Sequence, residues 1–253
     1  MLSPPESKLA SMSSCSVAVI GGGPAGLMAA QTLSEAGVHV DVYDAMPSVG
    51  RKFLLAGRGG LNLTHSEPAQ AFRSRFGAGA AHVAPWLDRF DAQALRQWAH
   101  DLGTETFVGS SGRVFPEEMK AAPLLRAWLH RLRASGVKVH ARHVWRGWAQ
   151  DGALLLDTPE GRVTRHADAV VLALGGGSWA RLGSDGSWQP LLKEKGVCIA
   201  ALQPANCGFV ADWSPYFAER FAGQPLKSVA GAAQGESKRG GECMVRSGVL
   251  EGG

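Results

Sequence analysis

Three glycines and an acid stand at the spacing that a bound nucleotide diphosphate needs. Gly21, Gly23 and Gly26 form G-x-G-x-x-G, and Asp44 follows about 20 residues later. Gly21 permits a tight turn, Gly23 lets the main chain lie against a pyrophosphate, and Gly26 lets a helix pack closely on a strand. A helix starting at that turn adds free N–H groups and a partial positive charge. The carboxylate of Asp44 can accept hydrogen bonds from a ribose diol. A second set of residues follows in the stretch Gly50 to His65. Arg51, Lys52 and Arg58 can meet phosphate oxygens, Arg through its planar fork and Lys as a point charge. Gly57, Gly59 and Gly60 let the main chain approach a flat ring or a phosphate, and Asn62 and Thr64 add polar contacts. A third set, Leu172 to Gly177, places glycines at the carboxyl end of an apolar run.

The elements that must position these residues are legible around them. Val17 to Ile20 is an apolar run of the buried parallel-strand kind. Leu27, Ala30 and Leu33 recur at helical spacing, Gly37 ends that helix, and Val38 to Tyr43 reads as a second strand. Strand, turn, helix, strand and terminal acid in that order point to dinucleotide binding; glycine turns by themselves are common. Ala45 to Ser66 reads as a loop and Phe72 to Ala81 as irregular. Ala84 to Leu102 reads as one helix with Trp86, Phe90 and Trp98 among its apolar positions, and Thr106 to Phe115 as a hairpin or loop. Glu117 to Ser135 reads as a helix with Trp128 on its apolar face, and Val137 to Ala141 as a strand. Trp145 to Thr164 reads as a small antiparallel meander with turns at Asp151-Gly152 and Pro159-Glu160-Gly161. Ala169 to Leu174 is another buried-strand pattern, Ser187 to Lys195 a helix, and Val197 to Ala201 a short strand. Beyond Gln203 aromatics, prolines and glycines mix, as at the start of a mostly β module.

Composition sets the bounds. A chain of 253 residues with 45% hydrophobic and 19% charged residues is that of a folded protein whose core needs no disulfides. The net charge of +4 is spread out, and the densest basic group, Arg126 to Arg146, reads as a solvated face rather than a nucleic-acid patch. The four cysteines form no C-x-x-C pair, which argues against a redox-active relay and a zinc ribbon, and free thiols point to the cytoplasm. The leader, residues 1–15, lacks the apolar region of a signal peptide, and no apolar run reaches membrane-spanning length. His140 and His143 have no carboxylate or cysteine partners at metal-ligand spacing. Trp86, Trp98 and Trp128 read as core, and Trp179, beyond the glycines of Gly175, could face a ligand.

GGGPAGLMAA, GRKFLLAGRGGLNLTHSE, GRVFP (Gly112 to Pro116), LALGGGSW and GSDG (Gly183 to Gly186) together resemble one flavoprotein family. It is the NAD(P)/FAD-dependent oxidoreductase group, with aminoacetone-oxidase-like and bile-acid flavin-reductase-like members. The resemblance implies an α/β fold: an FAD/NAD(P)-binding, Rossmann-like parallel sheet of the glutathione-reductase superfamily, an antiparallel meander, and the start of an inserted mostly-β domain. Residues 16–202 would form the FAD-binding domain and 203–253 part of the inserted substrate domain. FAD would be the cofactor, with NAD(P)H a candidate reductant and a small molecule as substrate. Gly21, Gly23, Pro24, Ala25 and Gly26 would meet the pyrophosphate, and Asp44, beside Ala45, the adenosine ribose, where many relatives carry Glu. Arg51 and Lys52 would lie near the ADP half. Gly57, Arg58, Gly59, Gly60 and Asn62 would approach the pyrophosphate and flavin ring. Val144 would contact adenine through its backbone. Ala173, Gly175 and Gly176 would match a strand end that carries Thr where this chain has Leu174. Relatives run longer, so the resemblance implies a C-terminal truncation within the inserted domain. No catalytic base or metal ligand is identified, and the oligomeric state is left open. Two alternatives stand beside this reading: a non-catalytic dinucleotide-binding fragment that needs a partner segment, and a dehydrogenase using NAD alone.

Overall fold

The computed structural model describes residues 15–56, 60–203, 208–232 and 238–252. The expected roles of Gly57, Arg58 and Gly59, and the leader before Cys15, therefore fall outside the described residues. The chain divides into two compact units, one ending at Ile199 and the other starting at Ala200.

The first unit is built on a parallel four-stranded sheet of order β10-β1-β2-β6, formed by β1 (Ser16–Ile20), β2 (His39–Asp44), β6 (Lys138–Ala141) and β10 (Ala169–Leu172). The first strand is central, with Ser16 opposite His39 and Val17 opposite Ala169. Side chains on a strand alternate between faces, so β1 serves two cores. Val17 and Val19, with Val40 and Val42, pack on α1 (Pro24–Glu35) and α6 (Ala121–Ala134) through Leu27, Leu124, Trp128 and Leu132. Ala18, Ile20 and Tyr43 face the meander β7 (Val144–Trp148), β8 (Leu154–Thr158) and β9 (Gly161–Arg165) through Trp145, Leu154 and Leu156. The result is helices, parallel sheet and meander in three layers.

Several expectations change. The segment 45–66 is not wholly loop: it contains α2 (Arg51–Ala56) and the two-residue β3 (Thr64–His65), which pairs with β5 (Arg113–Pro116). Residues 72–81 are mostly helical, as α3 (Ala69–Ser74), a 3-10 turn (Gly77–Gly79) and the start of α4 (Ala80–Leu87). The single helix expected over 84–102 is two, α4 and α5 (Ala92–Asp101). The break comes where Asp91 turns extended and its carboxylate accepts the Ala94 N–H at 2.8 Å, an N-cap that restarts the helix. Trp86, expected in the core, is 68% exposed, and Phe90 is exposed too, whereas Trp98 and Trp128 are buried. The helix expected from Glu117 begins at Ala121, because Met119 takes a left-handed φ of 58°. The expected hairpin is β4 (Thr106–Val108) with β5. The strand expected over 197–201 does not form: a turn at Gly196 follows α7 (Trp188–Glu194), and Val197 is exposed without a pairing strand among the described residues.

The second unit holds an antiparallel sheet of order β11-β14-β13-β12, from β11 (Gly208–Val210), β12 (Pro225–Gly231), β13 (Arg239–Arg246) and β14 (Val249–Gly252), with α8 (Pro215–Phe221). Val245 is its buried centre. Among the described residues Cys15, Cys198 and Cys243 are free thiols, and no helix is long and apolar enough to cross a membrane.

Candidate functional site

The three motif glycines do different work. Gly21 has φ +107°, a conformation other residues rarely adopt, and a Cβ there would sit 2.2 Å from the Ala173 carbonyl oxygen. A Cβ on Gly26 would come 1.8 Å from the Gly21 carbonyl oxygen. Both glycines are demanded by the fold itself: the exits of β1 and β10 touch, and α1 rests directly on the turn. Gly23 differs. Its φ of −79° suits any residue, and a Cβ there would meet no protein atom within 4 Å. It opens α1, which has Pro24 in its first turn, no side-chain cap and no acidic residue there. The first N–H groups of that helix are thus left for an anion.

Asp44 has a structural task that the motif did not announce. Its Oδ2 accepts the Gly22 N–H at 2.6 Å and its Oδ1 accepts the Met46 N–H at 2.7 Å. The carboxylate therefore ties the glycine turn to the end of β2, while each oxygen keeps a lone pair for a further donor. The backbone continues the same lattice. Gly21 N–H donates to the Tyr43 carbonyl at 2.8 Å, and His143 N–H to the Asp44 carbonyl at 2.9 Å. The second bond brings Val144 and the meander up to the same strand end.

Arg51 and Lys52 sit in the first turn of α2. Arg51 Nε is buried and has no partner among the described residues; its Nη1 reaches Ser48 Oγ at 3.5 Å. Lys52 Nζ donates to Ser178 Oγ at 2.8 Å and approaches Ser184 Oγ at 3.4 Å. Ser184, 4% exposed, donates in turn to the Gly176 carbonyl at 3.0 Å. These serines belong to the LALGGGSW and GSDG motifs, over 120 positions from Lys52, and nothing in the sequence pairs them with that lysine.

These groups border one cleft of about 650 Å³. Gly21, Gly23, Pro24, Ala25, Asp44, Ala45, Arg51, Lys52, Asn62, Val144, Ala173 and Gly175 all line it. Gly26, Gly60 and Gly176 do not: Gly26 lies beneath the turn, Gly60 (φ +107°) packs on Met119, and Gly176 serves Ser184. The structure adds Trp98 and Trp128 to the lining. Their rings meet edge to face at 4.8 Å, and both Nε1 groups donate to the single Oε1 of buried Gln31, at 3.1 and 2.8 Å. Gln31 Nε2 donates onward to Glu35 Oε1 at 2.8 Å. A polar residue inside the apolar stripe of α1 was the sequence signal for this network. Trp145 and Trp188 line the cleft too, and Trp179 is exposed and lies outside the lining.

The donor set suits a dinucleotide such as FAD. Among the buried side-chain polar atoms without a partner among the described residues, Arg51 Nε, Trp145 Nε1 and Trp188 Nε1 belong to residues of this cleft. Unpaired buried donors are uncommon in folded proteins, and here the residues that carry three of them line the same cleft as an uncapped helix N-terminus and a glycine with empty space above it.

Comparison with known proteins follows the same line. Residues 15–244 match the model of the HI0933-like protein Rossmann domain. The 3-dehydro-bile acid delta(4,6)-reductase of Clostridium scindens is 29% identical over 198 residues, covering 75% of this chain and 46% of that protein. The chain thus spans about half the length of that curated relative. Among solved structures, the 3-ketosteroid-delta4-(5alpha)-dehydrogenase of Rhodococcus jostii RHA1 is similar with a TM-score of 0.48 at 16% identity, over 69% of this chain and 49% of that one. CabE, an aromatic hydroxylase from angucycline biosynthesis, is similar with a TM-score of 0.47 at 17% identity, over 94% and 43%. With its glycine turn, strand-end acid and parallel sheet in place, this chain belongs to the HI0933-like protein Rossmann-domain family.

Proposed function

We propose that the cleft of the first unit holds FAD across the carboxyl ends of β1, β2 and β10, and that the chain is the nucleotide-binding part of a flavin oxidoreductase acting on a small organic substrate. The observation that carries this reading is Gly23. The fold does not need a glycine there, so the missing side chain serves something that enters the cleft. The N-terminus of α1, with Pro24 and Ala25, would receive the diphosphate, and Arg51 and Lys52 would add positive charge. For Lys52 this means exchanging Ser178 for a phosphate oxygen. Asp44 would accept the ribose hydroxyls on the lone pairs that Gly22 and Met46 leave free. Val144 would meet the base, while Asn62, Ala173 and Gly175 would flank the rest of the cofactor. Gly57, Arg58, Gly59 and Gly60 are assigned to the same loop by resemblance. Bound there, FAD supplies hydride transfer with an organic substrate or NAD(P)H. We place residues 16–202 in the FAD-binding domain, residues 203–253 in part of a substrate domain, and the protein in the cytoplasm, consistent with its free thiols.

Purified protein should be yellow, release FAD on denaturation at about one per chain, and bleach anaerobically with its reductant. Colourless protein that takes up no added FAD would overturn the reading.

A further inference from the structure

A second cavity lies in the first unit, outside the cofactor cleft. It measures about 220 Å³, less than the roughly 300–1,000 Å³ of drug-sized sites, so it suits a small molecule and not a nucleotide. Its walls come from the segment after β3, from α3 and α4, and from the start of α5. It shares no lining residue with the cleft, yet one helix serves both. Ala92 and Arg96, one turn apart on α5, border the cavity, while Leu95 and Trp98 border the cleft.

Most of the titratable groups around this cavity are already engaged. Arg73 is paired with Asp88, and Arg75 Nε lies 2.5 Å from Glu67 Oε1. The carboxylate of Asp91 caps α5 by accepting the Ala94 N–H at 2.8 Å. His65 is spent as well. Its Nδ1 accepts the Glu67 N–H at 3.1 Å, which leaves the proton on Nε2, and that group donates to the Ser111 carbonyl at 3.0 Å. Arg96 is the exception. Its Nε donates to Thr106 Oγ1 at 3.2 Å, while its two terminal nitrogens have no hydrogen-bond partner and no carboxylate among the described residues. Beside this open fork the wall is apolar, with Ala69, Phe72, Leu87 and Ala92.

We propose that this cavity binds a small organic monocarboxylate with an apolar body, its carboxylate on the Arg96 fork and its body against Phe72 and Leu87. A planar guanidinium presents parallel N–H donors that match the two oxygens of a carboxylate. A dianion such as phosphate is disfavoured, since the carboxylates of Glu67 and Asp91 belong to the same wall. A neutral ligand of the same shape forgoes the charge-assisted bonds. The site stands apart from the nucleotide reading, because the cleft contributes none of its residues.

The test is calorimetric titration of the free chain with benzoate, with benzamide and inorganic phosphate as controls. Benzoate should bind saturably at about one per chain, and about 10-fold or more tightly than either control, the lower worth of a charge-assisted pair. Arg96→Gln should weaken that binding about 10- to 100-fold. Ala92→Leu keeps the arginine but fills the cavity and should weaken it too, so the test does not hang on the folding of one variant. Protein loaded with FAD should bind benzoate as the free chain does, with its flavin spectrum unmoved. The proposal is overturned if benzoate shows no saturable binding, if benzamide or phosphate binds as tightly, if both variants keep full affinity, or if FAD abolishes the binding. A chain that takes up no FAD but binds benzoate through Arg96 overturns the nucleotide reading and supports this one.

Discussion

Replacing Gly26 and Gly23 by alanine separates folding from binding in one turn of chain. At Gly26 the new Cβ would lie 1.8 Å from the Gly21 carbonyl oxygen, where ordinary contact starts near 3.4 Å. Helix α1 would have to withdraw by about 1.5 Å from β1, and overpacking of that kind costs about 1–3 kcal/mol or more. At Gly23 no atom lies within 4 Å and φ is −79°. Gly23→Ala should therefore change stability by less than about 1 kcal/mol, the scale of an N-cap replacement. Its effect falls on the ligand. A phosphate oxygen bonded to the main chain sits at about 2.9 Å, closer than a methyl group allows. Each charge-assisted bond lost is worth about 1.5–3 kcal/mol, or roughly 10- to 100-fold in affinity. Gly23→Val should abolish FAD uptake. Urea midpoints and FAD titrations on the same preparations read both quantities. The reasoning fails if Gly23→Val retains full FAD occupancy, or if Gly23→Ala destabilises the free protein as much as Gly26→Ala does.

Asp44→Ala should lower the stability of the free chain by about 1–3 kcal/mol, because the Gly22 and Met46 N–H groups lose their acceptor; a purely ligand-binding role would leave the urea midpoint unmoved. Gln31→Leu strands two buried indole donors at once and should cost about 2–6 kcal/mol, with a shift in tryptophan emission that an undisturbed pair would not show. On the meander, Arg162 and then Arg146 hold the Asp157 carboxyl down from 3.8 to about 2. A depressed acid contributes stability that is complete above its unfolded value and is lost as pH falls through the folded one. Acid unfolding should thus steepen between pH 3.8 and about 2, and Asp157→Asn should flatten that part of the profile.

The first βαβ unit was legible because every signal in it is local. A four-residue apolar run, glycines at fixed offsets, a helical period and an acid at a strand end are all written within Ser16 to Asp44, and the structure places them as β1, α1 and β2. The meander was legible for the same reason, since its turns carry their own chemistry. What lay across the chain was not. Periodicity alone put Trp86, Trp98 and Trp128 in one class. Only packing decided that Trp86 faces solvent while the other two share Gln31. Cations beside glycines looked like loop, yet packing against α6 shaped Arg51 and Lys52 into α2. By itself the sequence determined that a dinucleotide turn forms and which acid follows it, because backbone conformation and strand period are properties of neighbouring residues. Only the tertiary structure decided that Asp44 also ties down that turn, that Lys52 meets serines more than 120 positions away, and which of the three glycines the fold itself does not require. Those facts depend on distances through space between segments whose order in the chain does not encode their separation.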